Sequence, residues 1–249
     1  MYGWNMNGYR RNVLDQLYLL TGYRKDQLPN LRDFFRGEEI DRILAESVKV
    51  RKIFYKNIEP LIDFVISTGY KDEPEVDTDG RLLLHRTTAL HHVPYFRRWR
   101  EDDLVNRLFE IYNRFDVNYV DDGGVSHFHL ACEFGCYAAA QQFLESGQDP
   151  NCLVPKTGIS PLHLALMCNH KKVAELLLNY GADDPNLANK SGSTTLHVIC
   201  SNKNDDVDFM NNFFQDQRQK KSASKDRRSG QSGSYTIALC SEPRPQEHI

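Results

Sequence analysis

Glycine and histidine recur along this chain at one fixed step. Gly124, Gly158 and Gly192 stand 34 residues apart, and His129, His163 and His197 keep the same interval. The residues between them agree as well: Ser126-His127-Phe128-His129-Leu130-Ala131, Ser160-Pro161-Leu162-His163-Leu164-Ala165 and Thr194-Thr195-Leu196-His197-Val198-Ile199. A period of this length is one supersecondary unit repeated in tandem, each copy too small to bury its own apolar face. Such units are stable only when stacked, so the chain is expected to form an array.

The unit can be read from its residues. Ser160 is a good N-cap, and Pro161 suits the first helical position, where a missing N–H removes no hydrogen bond. Leu162, Ala165 and Leu166 then mark one face of a short helix. After a turn at Asn169-His170, Val173, Leu176 and Leu177 give a second helix its buried stripe, and Gly181 suits the left-handed residue that closes it. The same second half recurs from Ala139 to Gly147 and from Leu61 to Gly69, and 11 residues separate each closing glycine from the next finger glycine (69 to 80, 147 to 158, 181 to 192). A weaker copy, Gly80 to His85, begins 44 residues before Gly124. If Asn113 closes its second helix, ten extra residues fall between the two helices, around His91–Arg100. In this copy Leu82 replaces the hydroxyl residue, so His85 lacks that partner and the unit is expected to be looser.

The signature and its period resemble the ankyrin repeat over roughly residues 58–214. The resemblance implies an all-α solenoid of helix-turn-helix units with short finger loops. On this reading residues 1–37 are an N-terminal helical segment and 38–78 a degenerate capping repeat, whose first helix carries Ile40, Ile43, Leu44 and Val48. Residues 79–121 are a repeat with the ten-residue insertion, 122–155 and 156–189 regular repeats, and 190–214 a terminal partial repeat. Residues 215–249 are a basic tail, expected to be disordered because Gln215 to Ser234 holds Ala223 as its one apolar residue. The resemblance further implies a non-enzymatic scaffold or adaptor that binds a protein on its concave face. The matching positions are Glu133, Phe134, Met167, Cys168, Ser201 and Asn202 on first helices, and Asp122, Val125, Lys156, Ile159, Lys190 and Ser193 on fingers. Val125, Phe134, Ile159 and Met167 would form an apolar stripe; the competing reading packs them between neighbouring units. His85, His129, His163, His197, the three finger glycines, Gly147 and Gly181 are assigned structural roles.

Composition narrows the function classes. The 249 residues carry a net charge of -3, with 40% hydrophobic and 26% charged residues, which gives no global pull towards nucleic acid or anionic membrane. No apolar run is long enough to span a bilayer, and the N-terminus lacks a signal-peptide layout, so a cytoplasmic or nuclear monomer with six reduced cysteines is expected. The repeated histidines do not converge on one point, as metal ligation requires, and are read as bridges between loop and helix. His127, His129, Cys132 and Cys136 lack zinc-site spacing, so the cysteines are read as small buried residues. No phosphate-binding loop, nucleophile elbow or His-Glu-x-x-His motif occurs, and no cofactor, metal or catalytic residue is assigned. Two basic clusters support an alternative, a nuclear adaptor for nucleic acid or an acidic partner. These are Arg97-Arg98-Trp99-Arg100 and the tail's Arg218, Lys220, Lys221, Lys225, Arg227 and Arg228. Acidic residues beside the first and the near-neutral chain weigh against it.

Overall fold

The computed structural model describes residues 31–33, 35–54, 59–96, 102–182 and 187–201. The Arg97–Arg100 cluster, the tail, Asn202 and most of the N-terminal segment lie outside them. Among the described residues eight α-helices follow one another: α1 Gly37–Phe54, α2 Glu59–Ser67, α3 Asp102–Ile111, α4 His127–Glu133, α5 Tyr137–Glu145, α6 Pro161–Met167, α7 Lys171–Asn179 and α8 Thr195–Ser201. The same residues include the 3-10 helices η1 Leu31–Asp33 and η2 Ala89–Phe96. Among the described residues the fingers contain only isolated bridges, such as Val76–Leu82, Val120–Ser126 and Ala188–Thr194.

In the two regular units, local chemistry places the helices. Ser160 is extended, its hydroxyl accepts from His163 N at 3.2 Å, and Pro161 opens α6. Ser126 caps α4 in the same way, with His129 completing a reciprocal capping box in which a ring nitrogen does the work of the usual carboxylate. Every residue of α6 from Pro161 to Leu166 is buried, not one face alone. The reason is stacking: α6 packs on α4 before it, on α8 after it and on α7 within its own unit. The second helices stay amphipathic, with α7 burying Val173, Ala174, Leu176, Leu177 and Leu178. Gly147 and Gly181 close α5 and α7 at φ 91 and 92, where a side chain is disfavoured. The core is continuous across units, as Phe143 of α5 meets Phe109 of α3 at 6.1 Å and Phe115 at 5.0 Å between ring centroids.

His129 and His163 each use both ring nitrogens. His129 Nδ1 accepts from Ser126 N at 3.2 Å and sits 2.8 Å from the Ser126 hydroxyl. His129 Nε2 donates to the Cys152 carbonyl in the next finger at 3.2 Å. His163 pairs with Ser160 Oγ at 2.7 Å and donates to the Ser193 carbonyl at 3.3 Å. These contacts assign the neutral tautomer with the proton on Nε2. Burial favours that state and pulls His129 down to about 4 and His163 below its ordinary value.

The first unit overturns three expectations. Its helix does not start after Leu82. Thr88 takes the capping place: Thr88 N donates to His91 Nδ1 at 3.0 Å, and His91 Nε2 donates to the Val125 carbonyl at 3.1 Å. The working imidazole is therefore His91, while His85 is exposed, and the unit does not lack its hydroxyl partner. The finger turn at Asp77–Gly80 is nevertheless regular, with Asp77 Oδ1 accepting from Asp79 N and Arg81 N as Asp121 Oδ1 accepts from Gly123 N and Val125 N. Six of the ten extra residues thus separate Leu82 from Thr88, and four fall between Thr88 and Ser126, which are 38 residues apart. Asn113 is not left-handed either, since Asn169 (φ 62) is the non-glycine residue with positive φ among those described. The end of α3 is capped from the preceding unit instead, by Lys71 Nζ on the Glu110 carbonyl at 2.6 Å and Asp72 N on the Ile111 carbonyl at 3.0 Å.

The added segment runs extended beside the next finger. Val120 N donates to the Leu84 carbonyl and Arg86 N to the Val120 carbonyl, at 2.9 and 3.0 Å. This drives Arg86 into the junction with the N-terminal helices. Its Nη2 lies 3.0 Å from Asp41 Oδ2 of α1 and its Nη1 3.1 Å from Asp72 Oδ1, with the guanidinium 5.1 Å from the Tyr119 ring centroid. The Tyr112 hydroxyl donates to Asp41, and that of Tyr119 to Asp72 at 2.6 Å. Burial alone would pull the guanidinium's pKa down; Asp41 and Asp72 outweigh it and hold it above its ordinary value.

Two outcomes follow from these contacts. Arg86→Met strands two buried carboxylates and should lower stability by about 3–5 kcal/mol in urea denaturation; adding Asp41→Asn and Asp72→Asn should restore part of it. A loss below about 1 kcal/mol would mean that the network is not buried as described. For pH, unfolded imidazoles take up protons near 6.5, whereas folded His91 and His129 resist protonation down to about 4. Their stabilisation is fully present above 6.5 and is lost as pH falls towards 4. Burial holds the Asp41 carboxyl above its ordinary value, which opposes that slope at one group. The melting temperature should therefore drop by several degrees between pH 7.5 and 5, and less in His129→Ala.

Candidate interaction surface

Finger loops and the ends of the first helices present the side chains that the stacked core leaves over. The finger turns are set by short polar residues. Asp121 and Asn189 each fold the loop back by accepting two backbone N–H groups, and Gly124 and Gly192 take φ 83 and 78 at the tips. Pro155 stands where these two fingers have Asp or Asn, and it packs so closely on the neighbouring tip that a Cβ at Gly124 would lie 2.4 Å from its Cδ. Fingers are also tied to each other, Lys190 N donating to the Thr157 carbonyl at 2.8 Å. The result is a row of loops held in fixed register.

The proposed contact residues divide in three. Asp122, Lys156, Met167 and Lys190 are exposed, and Glu133 and Cys168 are half-buried. Val125, Ile159 and Ser193 are also half-buried. Val125 packs on the core, and the Val125 and Ser193 carbonyls receive the imidazole protons of His91 and His163. Phe134, by contrast, is 7% exposed. Its expected place on the surface is corrected: it terminates α4, its N–H bonding the Leu130 carbonyl, and its ring joins the core. Nothing is described of the Ser201 side chain or of Asn202. The apolar stripe therefore reduces to Met167, 41% exposed, with the half-buried Val125 and Ile159.

The cysteine and histidine cluster does not assemble as a ligand set. Cys132 and Cys136 are buried, and burial raises the Cys132 thiol well above its ordinary value. Cys152, 3.7 Å from His129 Nε2, is pushed up to about 12, first by burial and then by Asp149. Among the described residues no group of three or more Cys, His, Asp or Glu could hold a metal ion. His127 belongs elsewhere, 2.7 Å from the Thr88 hydroxyl, with ring centroids of His91, Tyr112 and Tyr119 5.0 to 5.4 Å away. Burial holds His127 well below its ordinary pKa.

Two features escaped the sequence reading. The Thr88–His91 pair had a visible signal, a hydroxyl three residues before a histidine, as at Ser126–His129. The second is the exposed run Leu82-Leu83-Leu84, for which composition offered no warning. No described helix is long and apolar enough to cross a membrane.

A family model described as ankyrin repeats (3 copies) matches the chain at residues 97–185 and again at 128–211. A comparison with curated proteins gave no match. Helix pairs at one period, capped by a hydroxyl and a histidine and joined by finger turns, agree with that match. Ankyrin repeats generally mediate protein–protein interaction, and residues 97–211 of this chain belong to the ankyrin repeat family.

Proposed function

We propose that the chain is a non-enzymatic scaffold or adaptor that recognises a protein through finger tips and first-helix ends. The observation that carries this reading is Met167, a large apolar side chain left 41% exposed on a helix whose other residues are all buried. Exposed Lys156 and Lys190 and half-buried Ile159 and Cys168 supply the finger and helix-end positions of the same and the following unit. An apolar contact edged by charge is a common interface pattern. The fixed register of the fingers supports it physically, because a preorganised surface loses little conformational freedom on binding. The chain acts in this reading as a monomer in the cytoplasm or nucleus.

The test is capture of proteins from native lysate by the full chain and by a Met167→Glu/Lys190→Glu variant with an unchanged melting temperature. The reading expects specific proteins retained by the wild type to be lost with the variant. An identical protein set on both would place binding elsewhere.

A further inference from the structure

The segment inserted between the first finger and Thr88 carries a surface that neither the stack nor the finger row uses. Leu82, Leu83 and Leu84 are 39%, 44% and 38% exposed, and Val76 across the turn is 57% exposed. Contiguous apolar exposure of this kind marks a contact site more often than scattered single residues do. The backbone beneath is held on both sides, by Leu83 N on the Glu75 carbonyl and by Val120 N on the Leu84 carbonyl, each at 2.9 Å. The leucines are therefore presented on a fixed extended segment. With Glu38, Asp41, Glu75, His85 and Arg86 they line an open groove.

The charge around the groove selects its occupant. Asp41 and Arg86 are spent on each other, as described above. Glu38 and Glu75 remain exposed at the groove, with Asp77 and Asp79 on the adjoining turn; Arg81, 3.9 Å from Asp79, and His85 are the neighbouring bases. An apolar strip with an acidic rim fits a segment that combines Lys or Arg with apolar side chains. The chain contains one whose features the scaffold reading leaves unused. Arg218, Lys220, Lys221, Lys225, Arg227 and Arg228 face only Asp216 and Asp226 in sequence, and the apolar island Tyr235-Thr236-Ile237-Ala238-Leu239-Cys240 follows.

We propose that the Leu82–Leu84 groove docks this chain's own segment 218–240, with the island on the leucines and the basic run against Glu38 and Glu75. An outside segment of the same chemistry would then have to displace it, which makes the groove a second, self-occupied interaction surface. It does not depend on binding at Met167.

Alkylation of the full-length protein by iodoacetamide tests this, with the rate at Cys240 read by mass spectrometry against exposed Cys200 in the same molecule. Docking predicts Cys240 to react severalfold more slowly in the wild type than in Leu83→Ser or in Glu38→Lys/Glu75→Lys. All three positions are exposed, so the variants should keep their circular dichroism. Raising the salt concentration should speed the wild-type reaction towards the charge-reversed rate. Equal rates in all three proteins would overturn the proposal, as would protection that both variants retain. Protection that disappears on dilution would also overturn it, because the occupant would then be the segment of a second copy.

Discussion

A neutral imidazole held between two units is the contact on which this array depends. A hydroxyl residue and a histidine three positions later pair at the start of a short helix, and the far ring nitrogen reaches a carbonyl of the next unit. Thr88–His91, Ser126–His129 and Ser160–His163 all do this. The arrangement satisfies helix-start N–H groups that the buried N-termini could not expose to water, and it couples each unit to its successor by a directional bond. It also requires an uncharged ring, since a protonated imidazole would aim a second donor at a backbone N–H. Burial supplies that condition at the same place where it makes the bond necessary.

At the N-terminal end the chain solves the junction differently. The extended segment after Leu82 pushes the first helix six residues along and turns Arg86 inward, where Asp41, Asp72, Tyr112 and Tyr119 enclose it. Two carboxylates and one guanidinium are a poor substitute for apolar packing in energy. They do, however, join α1, the loop after α2, the inserted segment and the end of α3 at one point, and so fix the register of the N-terminal helices on the first unit. The exposed leucines are the outward consequence of the same insertion: the backbone that carries Arg86 in carries Leu82–Leu84 out.

What was legible in the sequence was local and periodic. The helix caps at Ser126 and Ser160, the closing glycines, the amphipathic second helices and the repeat family follow from residues within one period of each other. The first unit was misread because Gly80 and His85 keep the five-residue spacing of Gly124 and His129; the partner that identifies the true histidine, the Val125 carbonyl, lies 34 residues away. Phe134 was misplaced because it stands one period before Cys168, a half-buried residue at the end of the following first helix, yet its own ring is taken into the core. The Arg86 network was invisible for the same reason of distance, Asp41 being 45 residues upstream. Short-range chemistry was readable, and pairings across units were not.

The central claim, that the array is held by the imidazole of a hydroxyl–histidine pair and that the first such pair is Thr88–His91, is tested most directly by comparing thermal unfolding of His91→Ala and His85→Ala. Loss of the buried bridge should lower the melting temperature of His91→Ala by several degrees, while His85→Ala, altering an exposed ring, should melt with the wild type. A stable His91→Ala beside a destabilised His85→Ala would contradict the account.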